Sequence, residues 1–461
     1  MIFSESKKKE TEIMAFRVRG GIHPAYNKVT AHSPIEVLPA PKELVIPLSQ
    51  HIGAPCEPLV KVGDRVLLGQ KIGDSQAPVS APVHATVSGT VKAVEPRWVP
   101  SGLRAPCIVI ENDFLDEKDP SYLDREDEFS FDAMTPEIIC SRAREAGIAG
   151  MGGAGFPLHF KLSSGLGKVK HIVINGAECE PYITADHRAM LEYPHLIIGG
   201  IRLIMKYYGL DTATVGIEKN KPDAIDVMRA KGADFGIKVE ALPTKYPMGG
   251  EKQIIKAVGN VEIPGGKLPA DYGFAVFNVD TCASLYRAVA KQKPLMKRVV
   301  TVSGANVVTP KNLLVRIGTL YSALFDACGG FKKEPFKVIS GGPMMGSAQI
   351  SLDIPVVKNT SALLAYYGGE ESFVNDPVCI RCGKCAAVCP MHLMPLYLNM
   401  YSEKGEYEKC RELNVGDCIE CGSCAYGCPA KIQLVQSIRL AKGKLQAADR
   451  AKKAAQAREG K

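Results

Sequence analysis

The chain has 461 residues, 46% of them hydrophobic, and a formal net charge of +8; this length suits roughly three domains, with apolar material for buried cores. A spanning helix is excluded, since the longest apolar candidate, HLIIGGIRLIM, is interrupted by Gly199, Gly200 and Arg202 and falls short of the ~18 residues required. The charged opening MIFSESKKKETEIM has no apolar centre, which excludes a secretory signal and makes a cytoplasmic chain with fifteen reduced cysteines the expectation.

In chain order, residues 1–34 read as a leader. From Ile35 to Glu111, short β-branched runs (ELVIPL, PLVKVGDRVLLGQKIG, PVHATVSGTVKAV, PCIVIEN) alternate with Gly/Pro turns, which predicts an all-β module over 35–111. VKVGDRVLLGQKI and APVHATVSGTVKAV resemble the two halves of a biotinyl/lipoyl-type barrel-sandwich. The hairpin lysine that carries the swinging cofactor is missing, and His84 lies near that turn, so the fold is expected without the carrier role. Residues 112–129 (NDFLDEKDPSYLDREDEF) are acidic and polar, as in a linker.

Thr135 as N-cap, followed by Pro136 and Glu137, opens a helix in TPEIICSRAREAGI. Beyond it helical patterns alternate with HIVIN, TATVGIE, GIKVEAL and FAVFNV, so residues 130–295 are expected to form an α/β domain with helices on the sheet faces. Residues 296–368 suggest a small β-grasp unit, and 369–440 carry two cysteine runs on short helices. The tail, 441–461, is a basic helix: from Arg439 to Lys461 eight Lys/Arg stand against Asp449 and Glu459, a local +6. Such a helix is either solvated or drawn to anionic lipid, an acidic partner or nucleic acid; no interleaving of aromatic and basic residues supports nucleic acid.

CIRCGKCAAVCP places Cys379, Cys382, Cys385 and Cys389 at C-x2-C-x2-C-x3-C-P spacing, and CIECGSCAYGCP repeats it at Cys418, Cys421, Cys424 and Cys428. In such twin runs three thiolates hold one [4Fe-4S] cube while the fourth cysteine reaches the other. Cys379, Cys382, Cys385 and Cys428 are therefore expected to hold one cluster, and Cys418, Cys421, Cys424 and Cys389 its neighbour. Zinc sites would call for two CxxC pairs, without a third cysteine and a Cys-Pro at fixed offsets. The other seven cysteines are scattered, as small buried hydrophobes are.

GIAGMGGAGFPLHFKL, residues 147–162, gathers five glycines into nine positions. Gly150, Gly152 and Gly155 match the dinucleotide fingerprint in spacing, but a helix rather than a strand precedes them and Pro157 delays the next helix. The loop is either a tight turn or a place where backbone amides approach a phosphate. In NGAECEP, Asn175, Glu178 and Glu180 crowd the C-terminal edge of a strand, the ligand side of such sheets, where carboxylates accept bonds from ribose or ribityl hydroxyls. YPMGGEKQIIKAVGN and FNVDTCASL add Gly249, Gly250, Glu251, Asn278 and Thr281.

These four segments, in this order, are similar to the flavin-bearing NADH-oxidising subunit of respiratory complex I. With GGIHPAYNKVT, IPLSQHIGAP and the twin cysteine runs, nearly the whole chain resembles the C subunits of Rnf complexes, membrane ferredoxin:NAD oxidoreductases. The resemblance implies a multidomain α/β protein: a barrel-sandwich, a Rossmann-like FMN/NAD domain, an SLBB-like β-grasp domain and a helical twin-[4Fe-4S] ferredoxin domain. It places Gly150, Gly152, Gly153 and Gly155 against FMN and the dinucleotide, and Asn175, Glu251, Asn278 and Thr281 against the flavin. Phe156 by stacking, Lys161 by charge and Glu180 by hydrogen bonds would meet NAD(H). Met151, Gly250 and Phe277 depart from the complex I pattern of an arginine, a first paired glutamate and a paired asparagine, which implies weaker, non-covalent FMN binding.

The expectation is an electron-transfer subunit passing electrons between NAD(H), FMN and two [4Fe-4S] clusters, peripheral to the cytoplasmic face of the membrane. Its partners would be the other Rnf subunits, including the ferredoxin-like iron–sulfur subunit. A soluble flavin/iron–sulfur reductase of the cobalamin-reductase type, or a flavin-free relay or docking subunit, are the alternatives.

Overall fold

The computed structural model describes residues 18–121, 129–368 and 377–459. The described part of the expected leader works as a strap between domains. Lys28 Nζ donates to the carbonyls of Glu178, Glu180 and Ile183 (2.9, 3.0 and 2.5 Å), and burial lowers its pKa to about 8. Thr30 shares a buried hydroxyl contact with Thr184 (2.6 Å), which in turn donates to Asn312 (2.8 Å).

The first strand, β1 (Ile35–Val37), pairs in parallel with β14 (Lys311–Arg316), some 275 residues away in the sequence. The expected start of the barrel at residue 35 therefore moves: these three residues edge the β-grasp sheet. The barrel-sandwich itself follows, from β2 (Glu43–Pro47), β3 (Glu57–Pro58), β4 (Arg65–Val66), β5 (Lys71–Asp74), β6 (Val83–His84), β7 (Gly89–Trp98) and β8 (Arg104–Asn112). Its sheets run β2-β8-β7-β4 and β3-β5-β6 and enclose Leu44, Ile72, Val83 and Ile108. β8 is apolar on both faces because Cys107 and Val109, on its outer side, pack with Val45 and with Leu320 of the next-but-one domain. His84 is buried.

The described start of the acidic linker is pinned rather than solvated. Arg65 pairs with Asp113 (2.9 Å) and Glu117 (2.6 Å), and Arg316 with Asp116; residues 122–128 of that linker lie outside the described residues.

In the α/β domain, α1 (Pro136–Glu145) begins where its sequence signals place it, with Thr135 Oγ1 accepting from the Ile138 amide. After the glycine loop come α2 (Leu158–Gly165), β9 (His171–Asn175), α3 (Ala185–Glu192), α4 (Pro194–Tyr208), β10 (Ala213–Glu218), α5 (Pro222–Gly232), β11 (Ile237–Leu242), α6 (Glu251–Gly259), β12 (Phe274–Asn278) and α7 (Val279–Ala290). The four strands are all parallel in the order β11-β10-β9-β12. The glycines that interrupt the apolar run of α4 have a packing reason: a Cβ on Gly200 would lie 1.8 Å from the Cys282 carbonyl oxygen, so α4 and α7 touch nearly backbone to backbone.

The β-grasp domain adds β13 (Lys297–Ser303), β14, α8 (Tyr321–Ala327), β15 (Lys337–Ser340), β16 (Ser347–Ala348) and β17 (Ala362–Tyr366), in the sheet order β1-β14-β13-β17-β15-β16. The ferredoxin domain consists of α9 (Lys384–Ala387), α10 (Pro395–Glu403), α11 (Tyr407–Glu412), α12 (Ser423–Tyr426) and the long α13 (Leu434–Glu459).

The expected boundary at residue 441 falls inside α13. Ile438, Ala441 and Leu445 are buried against Leu398 and Cys410, Glu420 pairs with Arg439 and Lys442, and Arg411 holds Asp449 with two bonds (2.9 and 3.1 Å). The basic character of the tail is thus partly spent on the domain's own acids. Truncation after Arg450 is expected to preserve iron content and the thermal midpoint. Removing 441–461 strips Leu445 and Ala441 from the core, and losing the Leu445 side chain alone is expected to cost roughly 2–5 kcal/mol, which thermal unfolding and iron analysis of the two truncations would read.

Candidate functional site

The strand order of the parallel sheet reverses between β9 and β12, and in sheets of this kind ligands occupy the crevice at the carboxyl ends of the strands where the order reverses. Both strands end in asparagine, and the register pairs Asn175 directly with Asn278. Asn175 donates to the Gly249 carbonyl (2.8 Å) and accepts from the Ala177 amide (3.2 Å). Asn278 caps α7, its Oδ1 accepting from the amides of Asp280 and Thr281 (2.9 and 3.2 Å), while its Nδ2 donates to Asp186 (2.6 Å). The third wall is the start of α6, which has no side-chain cap; its first amides remain available to an anion.

The glycine loop closes this crevice. It folds back on itself through the Gly150 amide and Phe156 carbonyl (2.9 Å), and the Met151 amide donates to Thr281 Oγ1 (3.0 Å). A Cβ on Gly152 would meet Asn278 at 2.8–3.0 Å, whereas one on Gly153 would meet nothing within 4 Å. Gly155, at φ +73°, lies against the His51 backbone, and its carbonyl accepts from the Ile52 amide of the barrel (3.1 Å).

Three side chains of the β-grasp domain, none singled out from the sequence, hold the loop by its carbonyls. Lys358 donates to Gly147 (2.7 Å), Arg298 to Met151 (2.9 Å) and Asn359 to Gly153 (3.4 Å). Arg298 is 2% exposed and also pairs with Asp280 (2.8 Å). Lys358 is buried as deeply, reaches Pro82 of the barrel (2.6 Å), and has its pKa lowered to about 7 by burial. Taking up these carbonyls removes acceptors that would repel a phosphate. Met151 is itself buried, its thioether near Ser284.

Phe156 lies half-buried, edge-on to Phe160, and Lys161 pairs with Glu251 (2.8 Å) and approaches the Phe277 ring (5.5 Å). Phe156, Lys161, Asn175, Glu251, Asn278, Thr281 and the four glycines thus come from segments that converge on the crevice.

Glu178 and Glu180 already accept backbone amides within the protein. Glu178 caps α3, accepting from the amides of Asp186 and His187 (2.7 and 3.2 Å). Glu180 accepts from the amides of Met344 and Met345 in the β-grasp domain (3.0 and 2.9 Å), and burial raises its pKa to about 7. Both are occupied because the loop after β9 turns through left-handed Glu178 and Tyr182 toward the domain border.

The two cysteine runs adopt the same backbone. Arg381, Gly383 and His392 in the first and Glu420, Gly422 and Lys431 in the second all take positive φ, and α9 and α12 occupy equivalent places. One cavity is lined by Cys379, Cys382, Cys385 and Cys428, the other by Cys389, Cys418, Cys421 and Cys424, the exchange of fourth cysteines expected for twin cubes. In each set the thiols surround a space rather than converging on a point, and among the described residues no group of three or more His, Cys, Asp or Glu could grip a single metal ion. Amides of Arg381, Leu393 and Glu420 approach the sulfurs of Cys379, Cys389 and Cys418 at 3.3–3.4 Å, as thiolates of a cluster require.

The cavities face different ways. Cys379 and Cys382 are exposed beside exposed Val378, Ile380 and Tyr426. Cys421 and Cys424 are buried, on the side of the α/β domain, where Gln253 Nε2 of α6 comes within 3.2 Å of the Met391 sulfur and Tyr246 meets Cys421. We refer to these as the outer and inner cluster sites.

Comparison with known proteins agrees with this partition. Residues 16–115 match the RnfC barrel sandwich hybrid domain, 143–287 the Nuo51 FMN-binding domain, 299–348 the SLBB domain and 378–432 the 4Fe-4S dicluster domain. The C subunit of the Na+-translocating ferredoxin:NAD+ oxidoreductase complex of Acetobacterium woodii is 48% identical over 92% of this chain and 96% of its own. The proton-translocating counterpart from Clostridium ljungdahlii is 46% identical over 95% of each. An NAD+-reducing [NiFe]-hydrogenase structure overlaps 66% of this chain and 62% of its own at 17% identity, with a TM-score of 0.47. With FMN and [4Fe-4S] as the cofactors its domains are built for, the chain belongs to the family of C subunits of ion-translocating ferredoxin:NAD+ oxidoreductase (Rnf) complexes.

Proposed function

We propose that this chain exchanges electron pairs with a nicotinamide dinucleotide at the β9/β12 crevice and passes single electrons between that crevice and a partner subunit by way of the inner and outer cluster sites. The observation that carries this reading is the asymmetry of the two cysteine cavities, one walled by buried cysteines on the side of the α/β domain and one with exposed cysteines at its rim. FMN supplies the step from hydride to single electrons, and the clusters carry single electrons.

The chain's own residues bind and orient. Gly150, Gly152, Gly153 and Gly155 give backbone access, Asn175, Asn278, Thr281 and Glu251 fix the flavin, and Phe156 and Lys161 receive the dinucleotide by stacking and charge. Glu178 and Glu180 act one step removed, holding the loop that ends β9. The partners are the other subunits of the complex, among them a ferredoxin-like iron–sulfur subunit that meets the exposed rim of the outer site. The chain sits peripherally on the cytoplasmic face of the membrane, in keeping with the finding that no helix among the described residues is long and apolar enough to cross it.

Anaerobically purified protein is expected to hold about eight irons and eight sulfides and to reduce an artificial one-electron acceptor with NADH in the absence of membranes. Iron near half that amount, or cofactor-replete protein inert to NADH, would contradict the reading.

The glycine loop offers a second test, because two adjacent positions differ in what a methyl group meets. Gly153→Ala faces open space in the protein and is expected to keep its thermal midpoint while weakening FMN at least about tenfold; Gly152→Ala displaces Asn278 and is expected to lose FMN and some stability together. Flavin fluorescence titration beside thermal unfolding separates the two, and normal FMN affinity in Gly153→Ala would place the flavin elsewhere. For the clusters, Cys389→Ala is expected to remove the signal of the cube held by the Cys418 run in electron paramagnetic resonance, while Cys428→Ala removes the other; loss of the sequence-local cube in each variant refutes the exchange.

A further inference from the structure

Between the flavin crevice and the inner cluster site lies a small apolar seam to which separate stretches of chain contribute, among them Ile22 of the strap, Tyr246 of the α/β domain, Met344 of the β-grasp domain and Cys421 of the ferredoxin domain. Tyr246 is its centre. Its side chain is 1% exposed, and its backbone pairs with Ile22 in an isolated antiparallel bridge (2.8 and 3.0 Å). Its hydroxyl donates to the Cys421 carbonyl at 2.7 Å.

The same turn is tied to the crevice. Three residues on, the Gly249 amide donates to Cys179 Sγ (3.3 Å) and the Gly249 carbonyl accepts from Asn175. Tyr246 therefore touches the peptide of a cluster ligand at one end of a short rigid turn whose other end forms the crevice wall. A group in that position has two physical effects. It fixes the loop that carries Cys421 relative to the flavin side, and its O–H dipole draws electron density from the Cys421–Gly422 peptide beside the cluster.

We infer that Tyr246 is a positioning residue for electron transfer, holding the inner cluster against the flavin crevice and favouring its reduced state through the hydrogen bond to the Cys421 carbonyl. The inference rests on the assignment of Cys389, Cys418, Cys421 and Cys424 to one cluster. The physical basis is that hydrogen bonds and burial around a cluster set its potential, because reduction adds negative charge that nearby donors stabilise. A carbonyl left without its donor in a dry seam turns its full dipole on the cluster instead.

The test uses the full chain, anaerobically purified with both clusters and FMN. Tyr246→Phe keeps the ring that fills the seam and removes the donor. Redox titration followed by electron paramagnetic resonance is expected to show the inner cluster's midpoint moved to lower potential with an altered spectrum, the outer cluster unchanged, and iron content and FMN affinity as in the parent. If the phenylalanine variant fails to retain the inner cluster, 3-fluorotyrosine at position 246, a stronger donor of nearly the same shape, is expected to move the midpoint the opposite way. Unchanged midpoints and spectra in an iron-replete variant, or equal shifts of both clusters, would overturn the inference. An iron content near half the expected value in the parent protein would instead overturn the cluster assignment on which it rests.

Discussion

Single electrons pass between cofactors only where the protein fixes their separation, and the rest of this structure depends on a seam that does so. Ile22, Tyr246, Met344 and Cys421 come from four stretches of chain and meet in one buried cluster. Each brings its own element with it: the strap, the turn before α6, the loop after β15 and the second cysteine run. The α/β, β-grasp and ferredoxin domains all contribute to this contact, so none of the three could shift independently without opening it. The polar bonds around it point the same way, for Glu180 of the α/β domain grips the Met344 and Met345 amides, and the Met344 carbonyl lies 3.0 Å from where a Cβ on Gly422 would stand.

The β-grasp domain has a comparable part at the other side of the crevice. Lys358, Arg298 and Asn359 draw three carbonyls of the glycine loop to themselves, and the ammonium of Lys358 simultaneously holds the barrel at Pro82. Buried charges of this kind are costly unless well bonded. Here Arg298 has a carboxylate and two carbonyls, and Lys28 has three carbonyls. Removing any partner would leave a charge stranded in the interior, so these networks fix one arrangement of loop, strap and sheet rather than adding much net stability.

Much of this was legible in local pattern. The twin cysteine runs, the helix cap at Thr135, the strand ending in Asn175 and the glycine loop that precedes its strand are all features of a few consecutive residues, and the structure places them as those residues suggest. What escaped was non-local. β1 is three residues long and pairs with a strand far along the chain, so its period carried no sign of its sheet. Arg298 sits in a β-branched run and Lys358 in a loop, where a single basic residue gives no hint of burial. Glu180 looked like a ligand group because it follows a strand's C-terminal end, yet its partners are amides 164 and 165 residues away. The tail boundary was missed for a simpler reason: basic and alanine-rich composition concealed the spacing of Ile438, Ala441 and Leu445 along one helix face.

The twin runs share a backbone but not an environment, and that difference orders the proposed wire in space: an inner site walled by the seam, an outer one with exposed cysteines. The most direct measurement of this ordering is rapid-freeze electron paramagnetic resonance after mixing NADH with two variants, one lacking the inner cluster (Cys424→Ser) and one lacking the outer (Cys382→Ser). With the outer cluster gone, NADH is expected to reduce the inner one at the parental rate. With the inner cluster gone, the outer is expected to stay oxidised on that timescale; its reduction at the parental rate would contradict the path through the seam.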